Sequence, residues 1–382
     1  IMKIGIVTWF HYKNYGTILQ AYALQKFLKS KGYNCVLVNY IPINNKTFLE
    51  KINSGNLKHR IASKIESAKF KFLGSNIKDV LVLKNKSFEN FATNNIDFTE
   101  KVQTSSELFR LNETIDCFIC GSDQIWNPEN FNGVYYLNFV NEKNKKISFA
   151  PSFGVSHIPT SKIEEIRQLV NKFDWLSVRE DKGASILKEL TQKDVEVVVD
   201  PTLLLSKTDW EQISVSPNIN EDYILCYFLG DRQEYWKAVQ NLQRMTKYKV
   251  IIIPARFNAY LQKYEIRAST SPEEFIGLIK NAKLVLTDSF HGVIFSLKFE
   301  RDFYVFKRFK DIDKRSQNSR IYNILKMLNL EERLIDSNVL KDSKGNHSIE
   351  NYDEINKVLS RKIDDSTAFL KKVLSDYDRG ED

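Results

Sequence analysis

Cysteine is scarce. The 382 residues hold four, at positions 35, 117, 120 and 226, each in an apolar run. That excludes a disulfide framework and points to a reducing compartment. Histidine is also scarce: the five lie scattered at 11, 59, 157, 291 and 347 with no HxH or HExxH, so no metal site is expected. No apolar stretch reaches the ~18 residues that a membrane-spanning helix needs. The opening IMKIGIVTWF has neither a charged n-region nor a small-residue cleavage site, so it reads as a buried strand rather than a signal peptide. Neither GxGxxG nor GxxxxGK[ST] occurs, which leaves a dinucleotide fingerprint or a Walker loop without local support. Cys117 and Cys120 form a CxxC pair in TIDCFICGSD. Zinc or redox use would need a second Cys/His pair nearby, and the simpler reading is two small residues buried on a central strand.

What is present is the composition of a globular protein: 42% hydrophobic and 27% charged residues, with 25 Phe and 17 Tyr to fill a core. At roughly 100–200 residues per domain, the length favours two domains. The net charge of +8 is unevenly placed. Between Lys46 and Lys86 ten basic side chains face three acidic ones, so nearly all the excess belongs to one segment and the rest of the chain need not bind nucleic acid.

The hydrophobic pattern alternates strand and helix. MKIGIVTW, the turn HYKNYG, the helix TILQAYALQKFLKSKG and the strand NCVLVNYIP make a βαβ start, which implies a parallel sheet. Residues 44–110 are rich in Lys and Asn, with Leu49, Ile52, Leu57, Ile61, Ile65, Ala68 and Phe72 at helical spacing, and read as an amphipathic helical excursion. The α/β rhythm resumes at TIDCFICG and pauses at SKTDWEQISVSPNINED, a linker by composition. It begins again at YILCYFLG and runs to DFYVF. The expected architecture is α/β, with an N-terminal Rossmann-like domain over 1–205 carrying the excursion at 44–110 and a second such domain over 222–317. A helical extension over 318–382 completes the chain.

Two doubly wound units face each other across a cleft, and ligands of such sheets sit at the carboxyl ends of strands. Polar candidates at those ends are Asn14 and Tyr15 after the first strand, and Gly121, Ser122, Asp123 and Gln124 after TIDCFIC. Arg179 ends LSVR, Arg256 follows VIIIPA, and Ser289, His291 and Gly292 follow KLVLTD. In TDSFHGVIFSLKF, Asp288 or Ser289 can cap the next helix, which puts His291 in the first turn, where unpaired N–H groups favour an anion. The same His can instead simply pack at a helix start. Arg179 ends an apolar strand and needs an anionic partner, either a ligand carboxylate or phosphate held bidentately or an internal acid such as Glu180 or Asp181.

Six segments, NYGTILQAYALQ, CGSDQIWNP, ISFAPSFG, LSVREDKGASIL, VVVDPTLLL and LVLTDSFHGVIFSL, occur in this order between about residues 3 and 330. Together they resemble the polysaccharide pyruvyl transferase family. The resemblance implies two Rossmann-like domains facing a cleft in the GT-B manner, with phosphoenolpyruvate as donor and no cofactor. The acceptor would be a sugar hydroxyl pair, free or in a lipid-linked oligosaccharide, and the product a cyclic pyruvate ketal. It associates His291 and Arg179 with donor binding and catalysis. We assign Arg179, Ser289, His291, Gly292 and Arg256 to the donor, and Asn14, Tyr15, Gly121, Ser122 and Gln124 to the acceptor. Asp123 is the candidate general base, against a plain turn role. The competing function on this scaffold is a glycosyltransferase that uses a nucleotide sugar. A cytoplasmic protein is expected, without a nucleic-acid partner. The basic segment 44–86 either touches the inner face of an anionic membrane through Lys58, Arg60, Lys64, Lys69 and Lys71, or packs Leu57, Ile61, Ile65, Phe70 and Phe72 on its own domain.

Overall fold

The first apolar run forms strand β1 (Lys3–Val7), followed by helix α1 (Tyr15–Ser30) and β2 (Asn34–Leu37). This computed structural model describes residues 2–42, 75–309, 318–335, 348–349 and 351–375. The positions named for membrane contact between 57 and 72 lie outside the described residues. The described part of the excursion is helix α2 (Ser75–Asn95) and the short α3 (Ser105–Arg110), whose Thr104 and Glu107 form a capping box. Helix α2 packs inward through Phe88 and Phe91, whose rings meet Tyr15 and Tyr22 of α1 at 5.0 and 5.6 Å.

The chain then adds β3 (Cys117–Cys120), β4 (Lys145–Ser148), α4 (Thr160–Val170), β5 (Leu176–Val178), α5 (Asp181–Leu190) and β6 (Val195–Val197). The first sheet runs β2-β1-β3-β4, all parallel, and the parallel pair β5-β6 continues it through a bridge between Ile147 and Trp175. The CxxC pair makes up the two ends of β3. Both thiols are free and buried, and burial pushes Cys117 up to about 12, which suits packing rather than redox or metal chemistry. Among the described residues no group of three or more His, Cys, Asp or Glu could hold a metal ion.

After β6 come α6 (Pro201–Leu204) and α7 (Lys207–Ile213). The stretch expected as a linker is therefore partly helical. Ser206 and Asp209 close a capping box, and Trp210, fully buried, donates its indole N–H to the Thr202 carbonyl at 3.0 Å. The second half contains β7 (Tyr223–Tyr227), α8 (Gln233–Thr246), β8 (Lys249–Ile252), α9 (Phe257–Tyr260), β9 (Glu265–Ile266) and α10 (Pro272–Asn281). It continues with β10 (Leu284–Thr287), α11 (Phe290–Lys298), β11 (Asp302–Phe306), α12 (Ser319–Met327), β12 (Leu334–Ile335) and α13 (Tyr352–Ser375). Its sheet has the order β12-β11-β10-β7-β8-β9, again parallel.

The tail differs from a separate helical extension. Residues 334–335 supply the edge strand of the second sheet, and α13 lies across both halves. Ser366 of α13 accepts from the Val199 N–H at 3.0 Å, while Tyr352 donates to the Arg301 carbonyl at 2.7 Å. One apolar cluster joins Leu19 of α1, Trp210, Phe275, Phe295 and Leu370, so the halves share a core. Both sheets reverse their order at a switch point, between β1 and β3 in the first and between β7 and β10 in the second. The loops after these four strands build the cleft. The fold is α/β with two Rossmann-like domains facing a cleft, as in GT-B proteins.

Candidate active site

The cleft holds a cavity of about 370 Å3. From the first half it takes Trp9, Tyr12, Asn14 and Thr17 after β1, with Asp123, Gln124 and Asn130 after β3. From the second half come Leu229, Ser289, Phe290, His291, Arg308 and Arg320.

Local sequence explains how these side chains are held. Asn14 caps α1 by accepting from the Thr17 N–H at 3.3 Å. Asp123 has φ of 72°, a left-handed conformation that Asp and Asn tolerate better than most residues. One carboxylate oxygen accepts from Thr17 Oγ1 at 2.6 Å and the other from the Gln124 N–H at 2.9 Å. Ser289 caps α11. The preceding Asp288 does not cap; it accepts from the Leu229 and Gly230 N–H groups at 2.6 and 2.7 Å and tethers the loop after β7. Arg308 is anchored on the same residue, donating to the Asp288 carbonyl at 2.9 Å.

Behind the cleft, a buried carboxylate joins the two halves. Asp200, at the start of α6, accepts from Arg179 Nη1 at 2.6 Å and from Ser122 Oγ at 3.0 Å. The same oxygen lies 3.4 Å from His291 Nε2, while its other oxygen accepts from the Thr202 N–H and hydroxyl at 3.0 and 2.7 Å. Burial opposes ionisation of Asp200, but His291 and Arg179 outweigh it and hold the carboxyl well below the usual carboxylate range. Arg179 is likewise buried, and Asp200 with Glu180 keeps it firmly cationic against desolvation. The Arg179 guanidinium lies 4.7 Å from the centre of the Phe290 ring, and that of Arg320 5.7 Å from the same ring. Burial, followed by the nearby Arg179, pulls Arg320 down to about 9, so both guanidinium groups remain charged at neutral pH.

Several donors here are unused. Among the described residues, Arg179 Nε and Nη2, Arg308 Nε, Arg320 Nε and His291 Nε2 are buried without a hydrogen-bond partner. Arg179 Nε lies 3.9 Å from Glu180 Oε2, Arg308 Nε 3.4 Å from Asp288 Oδ2 and His291 Nε2 3.4 Å from Asp200, which among the described residues leaves Arg179 Nη2 and Arg320 Nε without a hydrogen bond or an ion pair.

The structure brings together His291, Ser289, Asp123, Asn14 and Gln124 at the cavity. His291 is a buried residue rather than a surface one, and its ring lies against Gly16: a Cβ there would fall 1.9 Å from Nδ1. Arg179 meets His291 through Asp200, the internal acid, has its Nε 3.9 Å from Glu180 Oε2, and lines a second cavity rather than the cleft cavity. The other expected residues do different work. Tyr15 is buried between the halves, where it stacks on Phe275 at 4.3 Å and donates to the Thr270 carbonyl at 2.9 Å, so it does not reach the acceptor space. Gly121 is packed under Thr8 and Leu24, and Ser122 is committed to Asp200. Gly292 lets α11 sit on β10, since a Cβ there would meet Thr287 Oγ1 at 2.5 Å. Arg256 is exposed, precedes α9 without a side-chain capping bond, donates to the Leu229 carbonyl at 2.8 Å and is not among the cavity residues.

Asp200, Arg308 and Arg320 are the residues at the site that sequence reasoning missed. VVVDPT offered a signal for Asp200, an acid directly after an apolar strand and before a Pro-led helix start. Arg320 had none, since it follows a polar stretch with no strand pattern.

Comparison with a known structure agrees with this architecture. Arabidopsis thaliana UGT89C1, in complex with UDP-L-rhamnose, superposes with a TM-score of 0.52 at 10% identity over 98% of each chain. Staphylococcus aureus MnaA with UDP gives 0.47 at 15% identity over 97% of each chain. The Methanocaldococcus jannaschii UDP-GlcNAc 2-epimerase, in complex with UDP-GlcNAc and UDP, gives 0.45 at 14% identity over 94% of this chain and all of its own. At such identities the likeness is one of fold. No curated protein matches the chain by sequence. Residues 14–308, most of the chain and most of the cleft, match one family directly: the protein is a transferase belonging to the polysaccharide pyruvyl transferase family.

Proposed function

We propose that the cleft transfers the pyruvate unit of phosphoenolpyruvate onto two hydroxyls of a sugar in a surface polysaccharide or its lipid-linked precursor. The observation that carries this reading is the meeting of the Arg308 and Arg320 guanidinium groups and His291 with the α11 N-terminus on one wall. A donor with both a phosphate and a carboxylate would use them. The opposite wall offers Asn14, Thr17, Gln124 and Asn130, which suit neutral hydroxyls, and a single carboxylate, Asp123.

In this scheme the donor methylene carbon takes a proton and becomes a methyl group, which leaves C2 electrophilic. His291 is the proton donor in this reading. One sugar hydroxyl adds to C2, the C2–O bond to phosphate breaks, and the second hydroxyl closes the ketal ring. Donor and diol give ketal and hydrogen phosphate, with all protons accounted for. Asp123, hydrogen-bonded to Thr17, takes the proton from an attacking hydroxyl. Arg308 and Arg320 hold the donor's anionic groups and balance the charge on departing phosphate. Asp200 keeps His291 aligned with the first half.

The test is phosphate release from phosphoenolpyruvate across a panel of sugar acceptors, with product mass. The reading expects phosphate together with an acid-labile product 70 mass units heavier than its acceptor, roughly the mass of a pyruvate unit less water. Transfer from a nucleotide sugar with none from phosphoenolpyruvate would make the protein a glycosyltransferase. Among the described residues no helix is long and apolar enough to cross a membrane. Attraction of the basic segment to anionic lipid is the proposed route to a lipid-linked acceptor.

A further inference from the structure

The turn after β1 carries ring side chains that the chemistry above leaves unused. WFHY, residues 9–12, puts four rings in succession at the carboxyl end of an inner strand. Two of them are anchored on the first half. Phe10 packs on Phe98 at 4.9 Å, and Trp9 meets the buried Tyr135 edge-on at 6.1 Å. The backbone is held as well. Gln20 Nε2 donates to the Trp9 carbonyl at 3.0 Å, and the Tyr12 carbonyl accepts from the Asn14 N–H at 2.8 Å. Trp9 is partly buried and Tyr12 is 47% exposed. Both line the cleft cavity, with ring centres 5.1 Å apart and planes at 72°, so they form a corner. The His11 ring lies 4.4 Å from Tyr12. Burial, and then Lys13, pulls His11 below its usual value, so a neutral imidazole supports the Tyr12 ring. Burial, and then the Asp123 carboxylate, raises the Tyr12 phenol, which stays protonated at neutral pH. The amides and hydroxyls of this wall, on Asn14, Thr17, Gln124 and Asn130, can pair with hydroxyls at the edge of a sugar. They offer nothing to the C–H groups of its face. An aromatic ring does, because its π face is negative and its area displaces water from apolar surface.

We propose that Trp9 and Tyr12 form a stacking platform for the acceptor, which selects a closed pyranose ring with a face of C–H groups over an open-chain polyol bearing the same hydroxyls. An alditol has no such face, and ordering its rotatable chain costs binding energy that a closed ring does not lose. The proposal rests on the acceptor side of the reading given above and names its substrate class, yet its test needs neither donor nor turnover.

The experiment is saturation-transfer NMR on the full chain, with the aromatic protons irradiated. The probes are the methyl pyranosides of glucose, galactose, mannose and N-acetylglucosamine, the alditols glucitol, galactitol and mannitol, and uridine diphosphate. Wild type, Tyr12→Leu and Tyr12→Phe are compared, with a thermal melt on each. Wild type should transfer saturation to the ring C–H protons of at least one pyranoside and to no alditol, a contrast that needs no variant to fold. Tyr12→Leu keeps an apolar side chain without the ring and should weaken that pyranoside roughly fivefold, whereas Tyr12→Phe should hold it within about twofold. Equal transfer to a pyranoside and its alditol, no pyranoside bound, or binding unchanged in Tyr12→Leu overturns the proposal. Transfer to the base protons of uridine diphosphate that is lost in Tyr12→Leu, with no pyranoside bound, also overturns it and gives the corner to a nucleobase. Pyranoside binding that depends on Tyr12, in a protein that releases no phosphate from phosphoenolpyruvate, leaves the platform standing and removes the ketal-forming reading instead. Phosphate release with the acceptor KM unchanged in Tyr12→Leu keeps that reading and removes the platform.

Discussion

The two walls of the cleft are built alike and charged differently. Each rises from the carboxyl ends of parallel strands at a switch point, β1 and β3 on one side and β7 and β10 on the other. The wall from the second half presents Arg308, Arg320 and His291 at a helix start, whereas the wall from the first presents neutral amides and hydroxyls around Asp123. Equivalent positions in two similar sheets thus carry unlike chemistry. The sheets determine where a ligand sits, and the loops and helix starts determine which ligand and which part of it goes where. An anionic donor on the second half and a hydroxyl-bearing acceptor on the first is the division this contrast supports.

The largest effects should come from the two residues proposed to move protons, one on each wall. His291→Ala should lower kcat by about 10²–10⁴. Asp123→Asn should do the same with an unchanged melting temperature, because Asn also tolerates the positive φ held there. Steady-state rates with a thermal melt check both, and an Asp123→Asn protein with normal kcat would return that residue to a turn role. Gly16→Ala should mimic His291→Ala, since the added methyl group must displace the imidazole.

Next comes the carboxylate that ties the walls together. Breaking the buried Arg179–Asp200 pair with Asp200→Asn should cost about 3–5 kcal/mol of stability. The sign of the pH effect follows from Asp200 lying well below the usual range in the folded protein. Its stabilisation is fully present above the unfolded value of about 3.9 and is lost as pH falls towards the lower folded value. Urea unfolding at a series of acidic pH values should therefore show a shallower loss of stability in Asp200→Asn than in wild type.

A smaller effect is expected for Arg308→Gln, which leaves Asp288 held by backbone N–H groups. The KM for donor should rise about tenfold or more with little change in the KM for acceptor. The smallest is Gln124→Ala, which removes one neutral contact worth about 1 kcal/mol and should raise only the acceptor KM, by a few fold.

Much of the frame was legible because periodicity is a local signal. The βαβ opening, the strands that end at Cys120, Val178 and Thr287, and the cap at Ser289 all follow from residues within a few positions of one another. The nature of each contact was not legible, because it depends on what the other half brings. Arg179 at a strand end called for an anion, but only folding shows that Asp200 supplies it and that His291 shares it. Tyr15 and Gly292 sit in the right motifs yet face a neighbouring helix and a neighbouring strand. SKTDWEQIS reads as a linker by polarity, while its one Trp is drawn into the common core. Arg320 is reached only through α12, which no strand pattern announces.

The most direct test of the division between the walls is a paired kinetic measurement, KM for phosphoenolpyruvate and KM for acceptor, on Arg308→Gln and Gln124→Ala side by side. A crossed result is expected, with donor KM raised only in Arg308→Gln and acceptor KM raised only in Gln124→Ala. Equal rises in both constants for both variants, or the reverse crossing, would contradict it.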